Sequence, residues 1–268
     1  MYSFLFIYNN KIKKNVILMI LLTVILIICI LIFIVIYIVI KNSKHETFYA
    51  HELGINRLDA VIFINLDNRK DRKILIEKEL ENMGVKKEKI IRFPAIYEKY
   101  NGHLGCVKSH IEVLKIIKQS NFKNALILED DFKFTLPKQE INKKIDHFLE
   151  KFINNWDAIH LSHSYWNKQK QIDNHICKIN SAMTSSGYIV NNHNNFYDKL
   201  LNDFQNSEEK LTENLKKWLE KNPNKKKYED ADALNQHWSK LQKKSQWYIF
   251  EPPLGIQRNS YSSIMSPK

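Results

Sequence analysis

The chain has 268 residues, with 41 Lys+Arg against 29 Asp+Glu and a formal net charge of +12. Hydrophobic residues make up 44%, enough for a packed core, so disorder is not the default. Asn, Lys and Ile are overused, as in AT-rich coding, so the charge alone does not signal a nucleic-acid partner. With no zinc-finger spacing and no RNA-binding aromatic signature, none is expected.

Residues 16–40 form an uncharged run dominated by Ile, Leu and Val. About 20 apolar residues suffice to cross a bilayer as a helix, and this run is too long for the core of a cleaved signal peptide. It predicts a transmembrane anchor after a short tail, residues 1–15. Lys11, Lys13 and Lys14 precede the run, while Lys41 and Lys44 follow it, offset by Glu46. The positive-inside rule then favours a cytoplasmic N-terminus, a type II arrangement with the rest of the chain lumenal or extracytoplasmic. Residues 41–58 read as a polar stem and residues 59–268 as one domain. Cys29 lies in the anchor, which leaves Cys106 and Cys177 as one possible disulfide and no disulfide framework. No CxxC pair exists, so a structural zinc site is not expected.

From residue 59 the pattern alternates strand and helix. Residues 60–65 read as a buried strand. A helix over 70–83 follows, with Ile76, Leu80 and Met83 on one face and Gly84 as its stop. Residues 90–93 are a second strand, 96–105 a loop, and Val107, Ile111, Leu114 and Ile117 mark a second helix. Next comes Asn124-Ala125-Leu126-Ile127-Leu128-Glu129-Asp130-Asp131, an apolar run that ends in three acids. After Pro137 a helix runs to about 153, then a strand over 157–161, a polar and poorly patterned stretch over 164–182, and a short strand over 186–190. Residues 193–222 read as two helices, and 222–227 as a solvated loop. A helix over 229–243 precedes the apolar Trp247-Tyr248-Ile249-Phe250. The alternation predicts an α/β fold, a Rossmann-type, mostly parallel sheet flanked by helices.

The acidic-ended strand carries the chemistry. A continuous apolar run reads as a strand buried on both faces, so its acids emerge at the carboxyl edge, where open α/β sheets bind ligands. Adjacent carboxylates repel one another, and oxygen ligands relieve this best with a hard divalent cation, Mn²⁺ or Mg²⁺. Asp131 is the expected direct ligand, with Glu129 or Asp130 adding a contact or orienting a bound water. The bland reading is a solvated acidic turn. Asn65, Asp67, Arg69 and Arg72 fall at the neighbouring strand end, within reach of phosphates that such a cation would hold. For the two arginines a solvated helix start explains the sequence as well. His110 is a candidate phosphate contact or a satisfied structural histidine.

Three stretches resemble the family-25 glycosyltransferases, the lipopolysaccharide-type and procollagen-type galactosyltransferases. They are Ile64-Asn65-Leu66-Asp67 with Asp71-Arg72; Gly102-His103-Leu104-Gly105-Cys106 with Ser109-His110; and Leu126 through Asp131. Thr184 with Gly187-Tyr188, and Pro253, Gln257 and Ser263, are weaker matches. The family commonly has Asp after that serine, where this chain has Ile264. The resemblance implies a GT-A-like fold and an inverting transfer of a hexose, galactose or glucose, from a UDP-sugar to a glycan, lipid-linked glycan or protein acceptor. It places Ser109, His110 and Gly187 among the donor-binding residues. It also implies a general base near Asp230 and Asp232, of which Asp232 aligns better; as plain charges the same acids would favour a helix N-terminus. Two phosphate chemistries fit the acids less well. A receiver domain would place them after its first strand, and a haloacid-type hydrolase needs a second acid where Lys133 stands. The alternative from another class is a catalytically inactive, membrane-anchored module that binds a sugar nucleotide or glycan.

Overall fold

The computed structural model describes residues 19, 21–23, 25–38, 53–222 and 237–259. The chain divides into two units, 1–52 and 53–268. In the first, an apolar helix contains a stretch, Leu21–Ile38, long and apolar enough to cross a membrane, with its large side chains exposed.

The second unit is an α/β domain built on an eight-stranded sheet. Its opening strands are β1 (Ala60–Asn65), β2 (Ile90–Pro94) and β3 (Asn124–Glu129), with β4 (Phe132–Phe134) just beyond. Then come β5 (Ala158–His160), β6 (Ser164–Gln171), β7 (Ile176–Met183), β8 (Gly187–Asn191), β9 (Trp247–Phe250) and β10 (Gly255–Gln257). The sheet order is β2-β1-β3-β8-β5-β9-β7-β6, and β4 and β10 pair separately. β1 runs parallel to both β2 and β3, and β5 parallel to β9, while β8 and β7 are antiparallel to their neighbours. Strands β1, β2, β3, β5, β6 and β9 therefore point one way, and β7 and β8 the other.

Helices α1 (Lys70–Asn82), α2 (Gly102–Gln119), α3 (Lys138–Phe152), α4 (Phe196–Lys221) and α5 (Ser239–Lys243) complete the domain. Side chains alternate across a strand, so one strand feeds two cores. Ala60, Ile62 and Ile64 of β1 join a cluster with Leu114 of α2 and Phe204 of α4. Val61 and Phe63 join the opposite cluster with Ile76 of α1 and Ile145 of α3. Both faces are covered, which is why β1 before its terminal Asn65 and the middle of β3 are apolar at every position.

Several expectations need correction. Residues 102–105 belong to the first turn of α2, not to a loop, because Asn101 caps the helix by accepting from Leu104 N at 3.2 Å. Residues 193–222 hold one long helix after a short 3-10 turn, with Phe196, Leu200, Phe204, Leu211 and Leu215 along its buried face. The stretch 164–182 is a β-hairpin. β6 is an edge strand exposed at most positions, so it lacks an apolar stripe. The possible Cys106–Cys177 disulfide does not form; both thiols are free. Of the helix expected over 229–243 only α5 falls within the described residues, and Asp230, Asp232 and residues 223–227 lie outside them.

Candidate functional site

β1 and β3 lie side by side with Ile64 opposite Glu129, so their carboxyl ends present Asn65 and the acid triplet together. The first turn of α1 follows β1 closely and sends Arg72 back over that edge. Its Nη1 donates to Asp130 Oδ1 at 2.9 Å and to Asp131 Oδ2 at 3.0 Å. All three residues are buried. Asn65 Nδ2 donates to the other oxygen of Asp130 at 2.8 Å. Asp131 also accepts from Gln257 Nε2 at 3.1 Å, and its backbone carbonyl accepts from Arg258 N at 2.7 Å, so β10 closes the site from the far end of the chain. Asp131 Oδ1 is buried and has no hydrogen-bond partner.

Glu129 faces the other way. Its Oε1 accepts from Ser185 Oγ at 2.5 Å, stands 3.6 Å from His110 Nε2 and lies 4.0 Å from Cys106 Sγ. His110 Nδ1 pairs with Tyr188 Oη at 2.8 Å, which fixes the ring. The acid triplet is thus divided: Asp130 and Asp131 turn to Arg72, and Glu129 turns to α2 and the β7–β8 connection.

The division shows in the acidities. Burial, then the charge of Glu129, push Asp131 up to about 6 against the pull of Arg72. Burial raises Glu129 too, but His110, Ser185 and the charge of Arg72 outweigh it, and the net shift is downward. A guanidinium already neutralises part of the charge, and one positive charge does not balance three acids.

A cleft opens over this edge, with roughly 670 Å³ of empty space open to solvent, lined by the triplet, Arg72, His110, Ser109 and the 95–98 loop. That loop is pinned to α2: Ser109 Oγ accepts from Ile96 N at 2.8 Å and donates to Gly105 O at 2.7 Å. A Cβ on Gly105 would come within 2.5 Å of Ile96 O, so the approach requires glycine.

Of the residues singled out from sequence, the structure gathers Asn65, Arg72, Ser109, His110, Glu129, Asp130 and Asp131 at one edge. Three others stand apart. Asp67 is exposed, its side chain 79% accessible, and bound to Arg92 Nη2 at 2.5 Å. Arg69 turns onto Asp71, with contacts of 2.9 and 3.0 Å. Gly187 sits behind the aromatic ring of Phe132, which a Cβ there would meet at 2.4 Å; this is a packing position, away from the cleft lining. Sequence reasoning assigned no role at the site to Arg92, Cys106, Ser185, Tyr188, Gln257 or Arg258. For Arg92 a signal existed: it is the lone charge within the apolar Ile90–Pro94, and its Nε donates to Asn65 Oδ1 at 3.2 Å. For Ser185 none did, since its contact is made by folding alone.

Residues 99–229 match the family described as glycosyltransferase family 25 (LPS biosynthesis protein), which bears out the resemblance read from the motifs. Procollagen galactosyltransferase 1-B of Xenopus laevis is 26% identical in an alignment covering 43% of this chain and 22% of that protein, so the chain spans under a quarter of that relative's length. Among solved structures, A197 from STIV aligns over 78% of this chain and 99% of its own, with 9% identity and a TM-score of 0.40. Mannose-1-phosphate geranyltransferase from Thermus thermophilus aligns over 71% of this chain and 72% of its own, with 8% identity and a TM-score of 0.41.

Proposed function

We propose that this chain, whose residues 99–229 carry the match to glycosyltransferase family 25, transfers a sugar from a UDP-sugar to a hydroxyl of a glycan, lipid-linked glycan or protein acceptor. The observation that carries the reading is the buried, unpartnered Asp131 Oδ1, whose residue lines a cleft on the carboxyl edge of the sheet. An ionised oxygen without a donor is costly to bury, and the carboxylate donor set suits a hard divalent cation, Mn²⁺ or Mg²⁺. Asp131 would hold such an ion, with Asp130 as its nearest support, since Glu129 turns to Ser185 and His110. When bound, it supplies the positive charge that stabilises a departing diphosphate. The chain's own residues do the rest. Arg72 and Asn65 keep the acids in place, Ser109 holds the 95–98 loop over the cleft, and His110 stands where a donor phosphate would reach it. Transfer inverts the anomeric centre and needs a base for the acceptor hydroxyl; Asp232 takes that role, with Asp230, two positions earlier in the sequence, as the second candidate. The uncharged run, residues 16–40, anchors the enzyme as a type II membrane protein.

The full chain in detergent, incubated with a panel of UDP-sugars and Mn²⁺, should release UDP from one of them. Asp131→Asn should abolish that release while the protein stays folded. Near-normal turnover in the variant would overturn the cation role. Tight binding of a UDP-sugar with no release in any acceptor mixture would favour the inactive binding module. Asp232→Asn should cost about 10²–10⁴-fold in transfer, the usual worth of a general base, with donor affinity unchanged.

A further inference from the structure

The side of the triplet that turns away from Arg72 is itself a ligand set. Cys106 and His110 are four residues apart on α2, one turn on the same face, and both point at the end of β3. One ligand atom from each of Cys106, His110 and Glu129 lies within 4.8 Å of the other two. Glu129 Oε1 is 4.0 Å from the sulfur and 3.6 Å from the nitrogen. Tetrahedral zinc, with bonds of about 2.0–2.3 Å, needs its donors roughly 3.3–3.6 Å apart, so the carboxylate is already close to the distances a shared ion requires. A second observation points the same way. His110 is fully buried, yet its Nε2 has no hydrogen-bond partner, since 3.6 Å is too long for one. Its other nitrogen is held by Tyr188 Oη, the outer contact that aims a metal-binding imidazole. A thiol, an imidazole and one carboxylate suit a borderline-soft cation, whereas the hard ion proposed at Asp131 takes oxygen.

We propose that Cys106, His110 and Glu129 form a three-ligand Zn²⁺ site, separate from the Asp131 cation position, with its fourth place open to the cleft. Binding replaces the thiol proton, which passes to solvent, with a sulfur–metal bond; no electron is transferred. The lack of a CxxC pair in the sequence hid this site, because its spacing is that of a helix turn and its third ligand comes from a strand.

The test uses the full chain in detergent, stripped with chelator and titrated with Co²⁺, which reports thiolate ligation by a charge-transfer absorption. One equivalent should bring up that band, and Zn²⁺ should displace it. Asp131→Asn should keep the band, which separates this site from the proposed donor cation and makes the two readings fail independently. Tyr188→Phe should weaken Co²⁺ affinity by about 10–100-fold, the usual worth of an outer contact. Zn²⁺ should shield Cys106 from alkylation in the unaltered protein, read by peptide mass spectrometry, a measurement that needs no variant to fold. A titration with no charge-transfer band, unchanged alkylation of Cys106, or a band that survives in a folded Cys106→Ser variant would each overturn the site.

Discussion

Glu129 and Asp131 close the same strand edge, two residues apart, with the same functional group, and the fold drives them in opposite directions. Glu129 is held below the ordinary carboxylate range, and Asp131 is pushed up to about 6. Burial acts on both. What differs is the company. Glu129 has the Ser185 hydroxyl at 2.5 Å and His110 beside it, whereas Asp131 shares one guanidinium with Asp130 and keeps an oxygen with no partner. A run of acids in a sequence is therefore not a single ligand set: neighbouring side chains, set by the sheet, decide which member is satisfied and which still has bonding capacity.

Arg72 gives the largest break. Arg72→Met should cost about 3–5 kcal/mol of stability in chemical denaturation, because it leaves two buried acids without their cation. A loss under about 1 kcal/mol would show that the Asp130 and Asp131 side does not depend on it. The next effect supplies a control outside the triplet. Burial holds His160 down to about 3, and it stays neutral in the core, where its Nε2 meets Gln242 Nε2 at 3.0 Å. The unfolded chain takes up this proton near pH 6.5 and the folded one does not until about 3. The stability His160 supplies is complete above the unfolded value and is lost as the pH falls towards the folded one. The slope approaches about 1.4 kcal/mol per pH unit. The pH dependence of stability, measured from about pH 7 to 5, should flatten by up to one proton in His160→Gln. An unchanged slope would place the titration elsewhere.

The two acids themselves give smaller effects, and the difference between them is the comparison made quantitative. Glu129→Gln should destabilise the metal-free protein by about 1–3 kcal/mol, since it removes a charged acceptor from buried donors. Asp131→Asn should leave the melting temperature equal or higher without divalent cation, because it removes a charge that repels Glu129 and Asp130. Equal losses in the two variants would mean that the triplet acts as one unit.

Much of the fold was legible because burial on both faces writes itself as unbroken apolar runs: β1 and β3 carry no charge until the edge, and Gly84, at φ +66°, stops α1 as expected. β6 was not legible, since an edge strand exposed at most positions leaves no stripe. Nor was the unity of α4, where Asn194 and Asn195, in left-handed conformation, stand just before one helix rather than between two. At the site, the triplet, Asn65 and Arg72 were visible as polar residues at or just past the ends of apolar strands. The split between Glu129 and Asp131 was not, because Ser185 and Gln257 reach them from 56 and 126 residues away.

That last separation bears on how the protein is made. The ribosome delivers the triplet early, but Gln257, which holds Asp131 by its side chain, comes 126 positions later, and Arg258, which holds it by backbone, follows directly. Between the two events β5 through β9 must be synthesised and set into the sheet. A nascent chain arrested before Gly255 would carry Arg72 and all three acids with Asp131 unheld on one side and β4 without its pairing strand. The site is finished by nearly the last described residues to emerge, so an incomplete chain that escapes quality control would carry this edge unfinished.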